Sequence, residues 1–167
     1  MYHCHSRHSP PPFTTLTSTA FDGYLSGCNV RLAPLDTSLD AAAASPPAAV
    51  TDPQGRFTLR TFVDDIQTSI VLGGWSQCVD TATGLTLSTP LATPSGCSAL
   101  SPLTTLAAVM LRDSTPGDSA AAVFAQLRDT LGLPTSVDLC QLDAVAAARA
   151  GRCARTFCSG VVFETLA

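Results

Sequence analysis

The chain has 167 residues, a formal net charge of −4, and nine basic residues that are all arginine. That length suits one domain or two small halves sharing an interface, and arginines scattered along an acidic chain exclude the concentrated basic footprint of a nucleic-acid-binding protein. The longest apolar stretches, Ala41 to Ala44 and Ala144 to Ala148, fall far short of the roughly 18–20 residues a membrane-crossing helix needs, which excludes membrane insertion.

Residues 1–19 carry Ser9-Pro10-Pro11-Pro12 and a Thr/Ser run with little to bury, and are predicted to be a disordered or extended tail. All three histidines, His3, His5 and His8, lie there beside Cys4. A tail has no surrounding groups to orient the rings, so no metal centre is expected. No hydrophobic run follows Met1, and no secretory signal is visible.

From residue 20 to 95 the signals are those of strands and turns. Asp22-Gly23 and Ser26-Gly27 are turn pairs, and Cys28 to Leu32 alternates inward and outward. Asp36 to Pro47 reads as a loop. Ala49-Val50-Thr51 and Arg56 to Arg60 flank Asp52-Pro53-Gln54-Gly55, which predicts a hairpin. Ser69 to Leu72 fits a buried strand stopped by Gly73-Gly74, and Gln77 to Val79 and Leu85 to Leu87 bracket another turn-rich link. Short strands at this spacing predict a small antiparallel β-sandwich.

Residues 96–167 change period and predict a helical subdomain of three or four short helices, making the chain α+β. Ser101-Pro102 places a capping hydroxyl before proline at the first helical position, and Leu103, Leu106, Ala107, Val109, Met110 and Leu111 form one face. Asp118 or Ser119 caps a second helix through Leu131, with Val123, Phe124, Leu127 and Leu131 as its stripe and Gly132 as its stop. Leu142 to Arg149 reads as a third helix, while residues 154–167 are compatible with a helix or a strand.

The seven cysteines are Cys4, Cys28, Cys78, Cys97, Cys140, Cys153 and Cys158. None of their spacings is the C-x-x-C of zinc ribbons and redox sites. That leaves buried free thiols in a reducing cell or disulfides in an oxidising one, and Cys28 and Cys78, in segments suited to neighbouring strands, are the disulfide candidates. Such a bond closes a loop of about 50 residues and contributes about 3–4 kcal/mol in the chain-entropy treatment. The pairing of Cys4, Cys97, Cys140, Cys153 and Cys158 is left open.

No residue is assigned a catalytic or cofactor-binding role. Ser76 lies in Gly74-Trp75-Ser76-Gln77-Cys78, where a nucleophile elbow needs glycine at the place of Cys78, and the body has no histidine to act as base. Asp64 and Asp65 are adjacent, so on a strand they point to opposite faces instead of into one cleft. Gly73-Gly74 lacks the Lys-Ser/Thr of a phosphate loop. Trp75 is either a plug in the core or an exposed platform for stacking on a sugar.

The order of landmarks adds to this. Asp22-Gly23-Tyr24-Leu25-Ser26-Gly27-Cys28-Asn29-Val30-Arg31-Leu32 is followed by Thr51-Asp52-Pro53-Gln54-Gly55-Arg56-Phe57-Thr58-Leu59. Next come Cys78-Val79-Asp80-Thr81 and then Leu100-Ser101-Pro102-Leu103-Thr104-Thr105-Leu106. This succession, over about residues 21–166, resembles carboxypeptidase-regulatory-like modules, which are transthyretin-like or immunoglobulin-like sandwiches with a short helical appendage in large bacterial adhesins and green-algal surface proteins. Many of those modules carry an acidic calcium-holding loop. Here that position offers only Asp36 and Asp40 followed by alanines, so calcium is not expected.

The resemblance implies a non-catalytic extracellular module that spaces or adheres within a larger cell-surface or matrix protein. Its expected partners are neighbouring modules of the same chain and cell-wall or matrix glycoproteins or glycans. The alternatives are a carbohydrate-binding module built on Trp75 and an accessory domain of a larger secreted hydrolase.

Overall fold

Threonines open the fold. In the computed structural model, which describes residues 13–43, 46–62, 68–73, 77–114 and 118–150, strand β1 (Phe13–Ala20) is the middle strand of a three-stranded sheet. β-branched threonine suits a pleated, half-buried strand. Thr15 and Thr17 face solvent, whereas Ser18 and Ala20 are buried. This corrects the expected tail, whose last residues are instead structural. The earlier part of that tail lies outside the described residues.

One neighbour of β1 is β5 (Arg56–Phe62), antiparallel from Phe13↔Phe62 to Thr19↔Arg56. The other is β9 (Ala99–Leu100), which runs parallel to it. A second sheet has the order β4-β3-β6-β8, made of β4 (Ala49–Val50), β3 (Asn29–Pro34), β6 (Thr68–Gly73) and β8 (Leu91–Pro94), with antiparallel pairing throughout. A small ribbon pairs β2 (Leu25–Ser26) with β7 (Val79–Asp80). The main core draws Ala20, Phe57, Leu59 and Leu100 from the first sheet and Val30 and Leu91 from the second, with Leu25, Cys28 and Cys78 among them.

The expected hairpin is corrected by this topology. The turn itself forms: Asp52 accepts backbone hydrogen bonds from Gln54 and Arg56 at 2.8 Å each through its carboxylate, and Gly55 N–H donates to the Asp52 carbonyl at 2.9 Å. The strands on either side then part, β4 into one sheet and β5 into the other. The cause is the long ladder that β1 offers β5, against which a two-residue β4 has little to set. Gly55 must be glycine here, with φ of +73° and no room for a Cβ beside the Ala20 carbonyl oxygen.

The predicted loop at 36–47 also contains a helix, α1 (Leu39–Ala43). Alanine is the strongest helix former, Ser38 accepts from Ala41 N–H at 3.3 Å, and Ala42 is buried against Ala33, Ala92 and Ala108. Of the expected strand at Leu85 to Leu87, Thr86 keeps a single bridge to Val79.

The helices follow their sequence signals closely. α2 (Pro102–Arg112) starts from a complete capping box between Ser101 and Thr104. α3 (Ala120–Thr130) is capped by Ser119. It ends with Gly132 N–H on the Asp129 carbonyl and Leu133 N–H on the Arg128 carbonyl, the paired bonds of a Schellman stop, with Gly132 at φ +64°. α4 (Ala144–Arg149) is capped by Asp143. Val123, Phe124 and Leu127 are buried with Cys97, Ala107 and Leu139 in a second cluster. Leu106 and Leu131, expected on the apolar stripes, are 46% and 45% exposed. The buried face of α2 is shifted to Thr104, Ala107 and Ala108.

That shift has a physical reason. β8 is the last strand of its sheet, and its outer backbone groups need partners. Ala92 N–H donates to Thr105 Oγ1 at 2.8 Å, and the Ala92 carbonyl accepts from Thr104 Oγ1 at 3.1 Å. The Thr-Thr pair near the start of α2 therefore seals the sheet edge. With β9 in the first sheet and α2 on the edge of the second, residues 96–150 are joined to both sheets.

Candidate functional site

The loop between β1 and β2 sets one aromatic ring at the meeting point of sheet and helix. Asp22-Gly23 turns the chain so that Phe21 bridges to Tyr24, and Gly23 lies so close to the buried Asp80 carboxylate that a Cβ would overlap it. Asp80 in turn accepts from Ala82 N–H and from the Thr83 hydroxyl, at 2.8 Å each. The Tyr24 carbonyl accepts from Thr81 N–H at 2.9 Å. Turn, ribbon and acid together hold Tyr24 in place.

The Tyr24 hydroxyl donates to Asp143 Oδ2 at 3.2 Å, and Asp143 Oδ1 accepts from Ala146 N–H at 2.8 Å to cap α4. The Arg149 guanidinium stands 5.1 Å from the centre of the Tyr24 ring, within cation–π range. Burial pushes the Tyr24 hydroxyl above the ordinary tyrosine range, and the charge and hydrogen bond of Asp143 push the same way. Arg149 and Arg56 oppose them. Both guanidinium groups therefore act on this one phenol.

From Arg56 the outer face of the three-stranded sheet runs away as a polar ladder. Arg56, Thr58 and Arg60 on β5 stand opposite Thr19, Thr17 and Thr15 on β1. Phe57 and Leu59 point into the core. Arg56, Thr58 and Arg60 are exposed, and neither guanidinium enters a hydrogen bond or ion pair among the described residues. Of the acids at that end, Asp52 is engaged by the turn and Asp143 by Tyr24 and α4. Beyond Tyr24, an apolar cleft between Phe21, Leu103, Leu142 and Val145 encloses ≈ 20 Å³, room for about one water and not for a ligand.

Cys28 and Cys78 are joined, with Cα atoms 4.2 Å apart, inside the main core. A second bond, which sequence reasoning left open, joins Cys97 to Cys140. The carbonyl of Cys140 accepts from both Ser98 and Ala99 N–H, at 3.0 and 3.1 Å, which docks the segment before α4 onto β9. The two loops span 50 and 43 residues without overlapping. Each removes about 4 kcal/mol of unfolded-state entropy in the chain-entropy treatment.

Trp75, Ser76, Asp64, Asp65, Cys4, Cys153, Cys158 and the three histidines lie outside the described residues. Asp36 lies in the turn after β3, and Asp40 in the first turn of α1. Among the described residues no three His, Cys, Asp or Glu side chains gather at metal-binding distance, and no helix is long and apolar enough to cross a membrane.

The arginine ladder was missed in the sequence because its outward residues come from two strands about 40 positions apart. The alternation Arg-Phe-Thr-Leu-Arg was its one available signal. No protein-family model, curated protein or solved structure matches this chain.

Proposed function

We propose that this chain is a non-catalytic structural or adhesion module of a larger cell-surface or matrix protein, of the carboxypeptidase-regulatory-like kind. The observation that carries the reading is the pair of disulfides, one within the main core and one tying the helical part to the first sheet. Disulfides persist in oxidising compartments, and this chemistry supports an extracellular setting. Two sheets contributing side chains to one core agree with a sandwich.

Several of the described polar groups inside the fold serve architecture. Asp80 closes a turn, Asp143 caps a helix, and Thr104 and Thr105 seal an edge. In this reading the mechanism is mechanical: shape is held by apolar burial and by covalent limits on unfolding.

Peptide mapping without reduction, on protein secreted by its own host and alkylated at harvest, tests the proposal. The expected result is Cys28 linked to Cys78 and Cys97 linked to Cys140. Alkylated, free thiols at these four positions would overturn it.

A further inference from the structure

We infer that the outer face of the three-stranded sheet is a docking surface for a carboxylated polysaccharide, a polyuronate chain lying along β1 and β5. The inference rests on the extracellular reading above and names its partner. The argument is charge complementarity on a chain whose overall sign is opposite. The molecule carries a net charge of −4, yet this face presents Arg56 and Arg60 with Thr15, Thr17, Thr19 and Thr58 between and beside them.

Geometry suits an extended ligand. Arg56 and Arg60 lie four residues apart on one face, which on a strand is about 14 Å. Arg149 stands 5.1 Å from the centre of the Tyr24 ring, and its charge and that of Arg56 both act on the Tyr24 hydroxyl. A guanidinium fork matches the two oxygens of a carboxylate. Threonine hydroxyls both donate and accept, as sugar hydroxyls do. The two forks are unspent among the described residues, whereas Arg112 is already paired with Asp113 at 2.8 Å.

The test uses the whole 167-residue chain with its disulfides intact, and three immobilised probes: polygalacturonate, dextran sulfate and neutral dextran. The wild-type chain should bind polygalacturonate in preference to the other two and be released as salt rises from about 50 to about 500 mM, where screening shortens to a few ångströms. Arg56→Ala with Arg60→Ala should weaken binding about tenfold, with an unchanged melting temperature because both side chains are exposed. Arg112→Ala should bind as the wild type does.

Absence of wild-type binding, equal binding to neutral dextran, or full affinity in the double variant would each overturn the inference. So would equal weakening by Arg112→Ala, and preference for dextran sulfate would overturn the carboxylate assignment. Correctly mapped disulfides with no polysaccharide binding would remove this inference alone, whereas free thiols would remove the reading on which it rests.

Discussion

Two buried threonines should respond to the same substitution with opposite signs. Thr104 and Thr93 are both fully buried, at 0% exposure, and Thr→Val preserves shape while replacing a hydroxyl by a methyl group. At Thr104 the hydroxyl accepts from Ser101 N–H at 2.8 Å and is within donating distance of the Ala92 carbonyl at 3.1 Å. Losing it opens the capping box and strands the N–H of a buried residue, a cost of about 2–3 kcal/mol. The added methyl returns about 1 kcal/mol at most. The net expectation for Thr104→Val is a loss of about 1–2 kcal/mol.

At Thr93 the hydroxyl is buried with no hydrogen-bond partner among the described residues. Valine removes an unsatisfied polar atom there and favours a strand, so Thr93→Val should be neutral or stabilising by up to about 1 kcal/mol. For a chain of this length, 1 kcal/mol moves the melting temperature by about 2–4 °C. Thermal unfolding followed by circular dichroism, with disulfides intact, should place Thr104→Val several degrees below the wild type and Thr93→Val at or above it. If Thr104→Val melts at or above the wild-type temperature, the edge-sealing role assigned to the Thr-Thr pair is wrong.

Two further outcomes are expected. Gly55→Ala and Gly84→Ala both place a side chain at positive φ, +73° and +74°, but only Gly55 faces a carbonyl oxygen while Gly84 has nothing within 4 Å. Gly84→Ala should therefore cost about 1 kcal/mol and Gly55→Ala about 3 kcal/mol or more, and similar midpoints in urea would contradict the close approach to Ala20. The Tyr24 hydroxyl, raised above the ordinary tyrosine range first by burial and then by Asp143, stays protonated longer in the folded chain than in the unfolded one. Its contribution to stability is present below pH 10 and fades as pH rises through the elevated value. Absorbance titration should find one tyrosine ionising late, and Asp143→Asn, which keeps a good capping residue, should bring it down toward the ordinary range. An unchanged titration in that variant would deny the contact.

Much of the helical half was legible because its signals are short-range. Ser101-Pro102 with Thr104, Ser119, Asp143 and Gly132 each act on backbone groups within a few residues. The turn at Asp52 to Gly55 is equally local, and it forms as read even though the hairpin around it does not. Leu106 and Leu131 show where local pattern fails: both fit an apolar stripe, and both are left exposed because the sheet edge and the neighbouring helix lie elsewhere. The α1 segment lies in a stretch whose pattern reads as loop, yet helix propensity and the small contact surface of Ala42 prevail.

The candidate site was far less visible. Tyr24 and Asp143 are 119 residues apart, and no spacing rule relates them. Cys97 and Cys140 had no feature separating them from Cys153 and Cys158 as partners. Sequence alone determined the α+β content, the starts of α2 and α3, the stop at Gly132, the turn at Asp52 to Gly55 and the positions able to bear a covalent brace, since each depends on conformational preferences and hydrogen bonds that close within one turn of chain. Tertiary structure decided which sheet each strand joins, that Phe13–Ala20 is an interior strand, how the second pair of cysteines is matched, and that arginines of an acidic protein share one face. Those outcomes come from competition among partners distant in sequence, where the longer ladder and the better-packed core win.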